Sequence, residues 1–306
     1  MSTLLAFPGQ GAQQVGMLHS LPAEEGVRTC LAEACEVLGE DILQLDSAEA
    51  LQTTRAVQLC LLIGGVASAR LLPAPDWVAG LSIGAYPAAV TAGALRFDDA
   101  LRLVARRGEL MQQAYPHGYG MTAVLGLELE QACALIAQVH SELSPVYLAN
   151  INAEQQFVIA GSETAMAAVA HLVRQQPAGM ARRLAVSVPS HCELLDSAGE
   201  HLAQAFASVD LQRPAVRYLS STTARPISDP AALRDDLAWN LCRRVDWRSV
   251  VQTAYERGVR LHLEMPPGSV LTGLARKCFG SGAVAFQGNR LDTLARLVQE
   301  ERLLEI

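Results

Sequence analysis

Gly80-Leu81-Ser82-Ile83-Gly84 is a G-x-S-x-G pentapeptide. It lies between an apolar run that reads as a strand, Trp77 to Gly80, and a helical pattern over Ala85 to Ala94. In that setting the glycines permit a strained turn that lifts a serine hydroxyl above a sheet, and the helix behind it favours developing negative charge. Without the strand–turn–helix context the pattern arises readily by chance. A serine hydroxyl is barely ionised at neutral pH and needs a base. Of the seven histidines, His140, His171 and His201 fall in helical patterns, His19 and His117 in polar loops, and His262 within an alternating strand. His191 follows a strand-like run through Pro189-Ser190, where the rhythm of the chain changes. A loop residue at a domain junction can face a cleft, so His191 is either the base or a structural histidine.

Two further groups could serve a nucleophile. Pro8-Gly9-Gln10-Gly11 ends the first apolar run, Thr3 to Phe7, and its backbone N–H groups could point at an oxyanion. A dinucleotide loop is excluded, because the next glycine is Gly16 and no acidic residue ends a second strand. Arg107 sits in the helical stretch Phe97 to Ala114. An arginine can hold a carboxylate through two parallel hydrogen bonds; taken alone, Arg107 reads equally as a solvated or salt-bridged helix residue.

The elements that must position these residues follow an α/β rhythm. Helical patterns cover about 24 to 38, 53 to 72 and 97 to 114, with strands at Thr3 to Phe7 and Trp77 to Gly80. Repeated strand, sharp loop and helix predict a mainly parallel sheet. The middle differs. Met121 to Leu125, Val146 to Ile151, Phe157 to Ala160 and Arg183 to Val188 read as strands, with helices over Glu130 to Leu143 and Ser162 to Arg174. That βαββαβ order predicts a ferredoxin-like subdomain over 121–189, inserted into a discontinuous core of 1–120 and 190–306. In the core's second half, Val216 to Ser220, Arg260 to Glu264 and Ala283 to Phe286 read as strands, and 230–241, 246–257, 269–278 and 290–304 as helices.

Composition narrows the classes of function. Of 306 residues, 50% are hydrophobic and 18% charged, and acidic residues exceed basic ones 31 to 24. A net charge of −7 argues against a nucleic-acid binder. Lys277 is the sole lysine, so Schiff-base chemistry has one candidate, placed at a helix end. The seven cysteines are dispersed and form no C-x-x-C pair, which argues against a zinc site or a disulfide framework. The longest apolar stretch, around Leu59 to Ala69, is too short to span a membrane. No leader-like segment opens the chain, and a cytoplasmic protein without membrane contact is expected.

Six segments in order resemble the malonyl-CoA:acyl carrier protein transacylase family: FPGQGAQQVGM at 7–17, GLSIGAYPAAV at 80–90, RRGELMQQA at 106–114, ANIN at 149–152, VSVPSHCELL at 186–195 and LEMPPGSVLTGL at 263–274. The resemblance implies a hydrolase-like α/β core with a ferredoxin-like insert. It implies Ser82 as the acylated nucleophile, His191 as its base, the backbone N–H groups of Gln10 and Ile83 as the oxyanion hole, and Arg107 as the clamp for the malonyl carboxylate. It also marks Asn152 as a site residue and implies a backbone carbonyl that orients the histidine, at about Arg257. Substrate and partner would be malonyl-CoA and an acyl carrier protein with a phosphopantetheine-type arm, with no permanently bound cofactor or metal. Leu81 and Ala85 stand where the family usually has histidine and glutamate. That form looks more like the transacylase (epsilon) subunit of biotin-independent malonate decarboxylase, which serves a dedicated carrier. The housekeeping transacylase of fatty-acid synthesis is the alternative, and a serine thioesterase or hydrolase is the alternative of another class. Arg182, Arg183, Arg243 and Arg244 are candidates for steering an acidic carrier, or ordinary surface charges.

Overall fold

The computed structural model describes residues 2–303. Eleven strands are present among the described residues: β1 (Ser2–Phe7), β2 (Trp77–Gly80), β3 (Tyr119–Leu125), β4 (Val146–Ala153), β5 (Gln156–Ser162), β6 (Met180–Arg183), β7 (Arg217–Leu219), β8 (Pro226–Ile227), β9 (Val245–Asp246), β10 (Val259–Glu264) and β11 (Ala283–Ala285). They form a six-stranded sheet in the order β11-β10-β1-β2-β7-β8 and a five-stranded sheet in the order β6-β3-β5-β4-β9. The large sheet is parallel from β11 to β7, and β8 runs antiparallel to β7.

β1 is buried at every position, as a parallel strand covered on both faces must be. Its side chains alternate between two cores. Leu5 and Phe7 face a cluster built with the helices Glu25–Leu38, Thr54–Ala69 and Phe97–Ala114. Leu4 and Ala6 face a smaller cluster with the helices Trp247–Glu256 and Val270–Phe279. Helix Thr54–Ala69 is apolar nearly all round and correspondingly central. Gly108 lets Phe97–Ala114 lie against it: a Cβ there would stand 2.5 Å from Arg55 Cα. The depth of Arg107, one residue earlier, depends on that contact.

The chain leaves the large sheet after Phe97–Ala114 and builds β3, helix Leu129–Val139, β4, β5, helix Glu163–Arg174 and β6. This is the expected βαββαβ order, and the whole is a hydrolase-like α/β core carrying an inserted subdomain. Three details differ from the sequence reading. The last strand is Met180–Arg183 and not Arg183 to Val188: Leu184 still donates to the Met121 carbonyl, but the chain then turns along the cleft and pairs no further. Helix Leu129–Val139 stops four residues early, where His140 caps it and its ring bonds the Val146 backbone at 3.0 Å. And β9, from the second half of the chain, pairs in parallel with β4, so the small sheet is not made from the insert alone.

Glu264 ends β10 with its carboxylate wholly buried. Oε1 accepts from Leu271 N at 3.0 Å and Oε2 from Thr272 N at 2.6 Å, tying the strand to the start of helix Val270–Phe279. Glu264→Ala strands both N–H groups in the interior and should lower unfolding stability by about 2–3 kcal/mol. Urea denaturation with an unchanged slope would register it; an unchanged midpoint would refute the role.

Candidate active site

Ser82 occupies the left-handed region at φ +56°, uncommon for a residue with a side chain. The turn that holds it there needs both glycines. A Cβ on Gly80 would lie 1.9 Å from the Gly84 carbonyl, and one on Gly84 would lie 2.2 Å from the Phe7 carbonyl oxygen. Leu81 N donates to Phe7 O at 2.9 Å, and a Cβ on Gly9 would stand 2.8 Å from Leu81 O. The loop after β1 therefore lies directly against the serine turn. That places Gln10 in the same cavity wall as Ser82. Ile83 sits in the 3-10 turn Ser82–Gly84, whose first N–H groups have no acceptor within the turn.

His191 also has positive φ, +66°, and its own N donates to Leu241 O at 2.7 Å. The residue is only 3% exposed, and Nε2 lies 2.8 Å from Ser82 Oγ. Nδ1 faces two carbonyls, Asn240 O at 2.9 Å and Arg243 O at 3.1 Å. Carbonyls only accept, so Nδ1 carries the proton and Nε2 presents its lone pair to the serine. The orienting group is thus a pair of carbonyls from 240–243. Arg257, the position expected from the sequence, is elsewhere: it precedes β10, and its guanidinium lies 5.9 Å from the ring of Trp77, the first residue of β2. Both mark the N-terminal edge of a parallel sheet, whereas Ser82 follows the C-terminal end of β2.

Burial pushes the His191 imidazole down to about 4, the Arg107 charge adds to this, and the two carbonyls oppose it. The ring is therefore a neutral base at physiological pH. Arg107 is fully buried. Its Nη2 reaches Ser82 Oγ and Asn240 Oδ1, both at 3.3 Å, and its guanidinium stands 5.9 Å from the Tyr86 ring. Nε and Nη1 have no hydrogen-bond partner among the described residues. Desolvation lowers the guanidinium pKa, yet arginine stays charged in proteins. A buried cation with two unpartnered nitrogens therefore stands beside the Ser82–His191 pair.

Ser82, His191 and Gln10 open on a cavity of ≈ 460 Å³ between the two sheets. Asn150 and Asn152 line it from β4, each with an unpartnered buried Oδ1. Arg182 and Arg183 also line it, but Arg183 is engaged by Met121 O, Tyr119 O and Glu163. Arg243 is paired with Asp235 at 2.7 Å, and Arg244 is exposed. Lys277 is on the surface, paired with Glu154. Sequence reasoning missed Asn240, which touches both His191 and Arg107; nothing in its spacing marks it.

The acyl transferase domain family matches residues 5–301. The chain is 37% identical to the malonyl CoA-acyl carrier protein transacylase of Haemophilus influenzae over 287 residues, 90% of this chain and 92% of that one. The crystal structure of FabD from Acinetobacter baumannii superposes with a TM-score of 0.90 at 35% identity, covering 99% of each chain. A complex of a type II PKS acyl-carrier protein with its malonyl-transacylase gives 0.90 at 34%, covering 97% of this chain and 100% of that one. With its fold and sequence matched from end to end, the chain belongs to the malonyl-CoA:acyl carrier protein transacylase family.

Proposed function

We propose that this protein transfers malonyl from malonyl-CoA to the phosphopantetheine thiol of an acyl carrier protein, through a malonyl-Ser82 ester. The observation that carries the reading is Arg107, a buried guanidinium with free Nε and Nη1, bonded to the nucleophile itself. His191 Nε2 takes the Ser82 proton as Oγ attacks the thioester carbonyl. The N–H groups of Gln10 and Ile83 receive the oxyanion, each such donor being worth about 3–4 kcal/mol. The C–S bond breaks, and CoA leaves as the thiol with the proton from His191. In the second half a carrier thiol gives its proton to His191 and attacks the ester, and Ser82 leaves reprotonated. Arg107 pairs with the free carboxylate throughout. Asn152 serves as a polar contact for the incoming arm.

The likeness to transacylases named for acyl carrier protein favours a general carrier of the fatty-acid type over the dedicated malonate decarboxylase carrier. The second reading keeps one observation: Leu81 and Ala85 replace the family's usual residues, and Leu81 lines the cavity. Purified carriers of both kinds, offered to the malonyl-enzyme, decide between them by which is loaded faster. Seven unpaired cysteines suit a reducing cytoplasm, and no helix among the described residues is long and apolar enough to cross a membrane. A hydrolase would share Ser82 and His191 but would not need a buried arginine.

Intact mass after brief exposure to malonyl-CoA should show one added malonyl group, lost in Ser82→Ala; free malonate accumulating without an adduct would favour the hydrolase. Arg107→Ala should cut malonyl transfer by about 100-fold or more while acetyl transfer changes far less, because only malonyl loses a charge-paired contact. Equal losses would sink the clamp. Because His191 is held neutral down to about pH 4, kcat/KM for acylation should stay level as pH falls from 8 through the ordinary histidine range. It should drop only near the lowered value, where the base becomes protonated. An acid limb centred near 6.5 would contradict the buried geometry.

A further inference from the structure

Three loops meet at the C-terminal edge of the large sheet, after the adjacent strands β1, β10 and β11. The first carries Gln10 and lines the cavity from Pro8 to Gln13. The second leads from β10 into helix Val270–Phe279, whose Val270, Leu271 and Leu274 line the same cavity. Gln287 stands in the third, two residues past β11. Its side-chain Oε1 accepts from Gly268 N in the second loop. Its Nε2 donates to Gln14 Oε1 in the first at 3.1 Å. A backbone N–H only donates, so the amide atom facing Gly268 is the oxygen, and the nitrogen is left for Gln14. The first loop needs such a tie. Gly9, Gly11 and Gly16 free its backbone, with Gly11 at φ +107° and Gly16 at +74°. Its ends are fixed: Gly9 lies against Leu81, and Gly16 N donates to Asp46 O at 3.0 Å. Between them the loop bonds to itself, Ala12 N to Gly9 O at 3.3 Å and Gly11 N to Gln13 Oε1 at 2.6 Å. Gln14 links that span to the neighbouring loops.

The geometry points to Gln287 as a positioning residue for acyl transfer, its amide fastening the loop that presents the Gln10 N–H to the loop that opens helix Val270–Phe279. The inference rests on the malonyl-transfer reading above. Gln287 does not line the cavity and acts through the backbone of the first loop. An oxyanion donor works on charge that develops in the transition state. Loosening its loop therefore slows the chemical step and leaves binding of the thioester alone. The carbonyls that hold His191 belong to another segment and are untouched.

Rapid-quench measurement of malonyl-enzyme formation tests this. Gln287→Ala should lower the limiting rate about tenfold, since a displaced donor costs less than the roughly 100-fold or more of a lost one. The malonyl-CoA concentration for half-saturation should stay within about twofold. Acetyl-enzyme formation should fall by the same factor, because both acyl groups form the oxyanion. Gln287→Glu keeps an oxygen for Gly268 N, and Gln14 can turn its own Nε2 toward the carboxylate. That variant should stay within about threefold of wild type. The acid limb of the pH–rate profile should not move in either. Gln14→Ala should also slow acylation, and joining it to Gln287→Ala should add nothing beyond the larger single loss. Four outcomes would overturn the inference and leave the functional reading standing: an unchanged rate in Gln287→Ala, a Glu variant as slow as the Ala variant, additive losses, or a raised half-saturation concentration at an unchanged limiting rate. Wild-type protein that forms no malonyl-enzyme would overturn both.

Discussion

The site depends on one guanidinium held out of water with no carboxylate paired to it among the described residues. Taking a charge from water into a protein interior costs several kcal/mol even after relaxation. Here the contacts that offset it are a hydroxyl, an amide oxygen and the face of Tyr86. Tyr86 is fixed in turn by its hydroxyl, which donates to Leu237 O at 3.1 Å. The helix that carries Arg107 is locked against its neighbour at Gly108, so the charge cannot swing out to solvent. Burial keeps the His191 ring neutral, and the same charge reinforces it. One buried cation therefore bears both on the serine it bonds and on the imidazole beside it.

The second constraint is steric. Gly80, Gly84 and Gly9 permit three backbone segments to meet at distances no side chain would allow. Ser82 is forced into a left-handed conformation by its neighbours, and His191 is forced into one by the bond from its N–H to Leu241. Strain of this kind persists only where the surroundings over-determine it. Both side chains are thus set by their own backbones.

Much of this was legible in the sequence because it rests on local signals. The apolar run of β1, the G-x-S-x-G turn and the periodic helix Phe97–Ala114 each announce themselves within a few residues, and so does the βαββαβ order. Apart from the early stop of helix Leu129–Val139 at its His140 cap, the failures are of long range. Arg183 to Val188 alternates like a strand, but it lines a cleft and does not pair beyond Leu184. β9 is two residues long and exists only because β4 lies beside it. Arg257 was matched to the orienting carbonyl by position in the chain; the carbonyls that do the work belong to Asn240 and Arg243, in a segment with no motif. Arg107 was ambiguous for the same reason, since burial is a property of neighbours remote in sequence.

That β9 pairing has a mechanical consequence. The small sheet is joined to the core where the chain enters β3 and where it leaves β6, and either crossing alone could act as a hinge. β9 adds a third attachment, and it begins two residues beyond Arg243, whose carbonyl holds the histidine ring. Three attachments resist rocking better than two. The cleft between the sheets is then braced by a segment that also contacts the histidine ring. Any force that pried the walls apart would pull first on the histidine's own mooring.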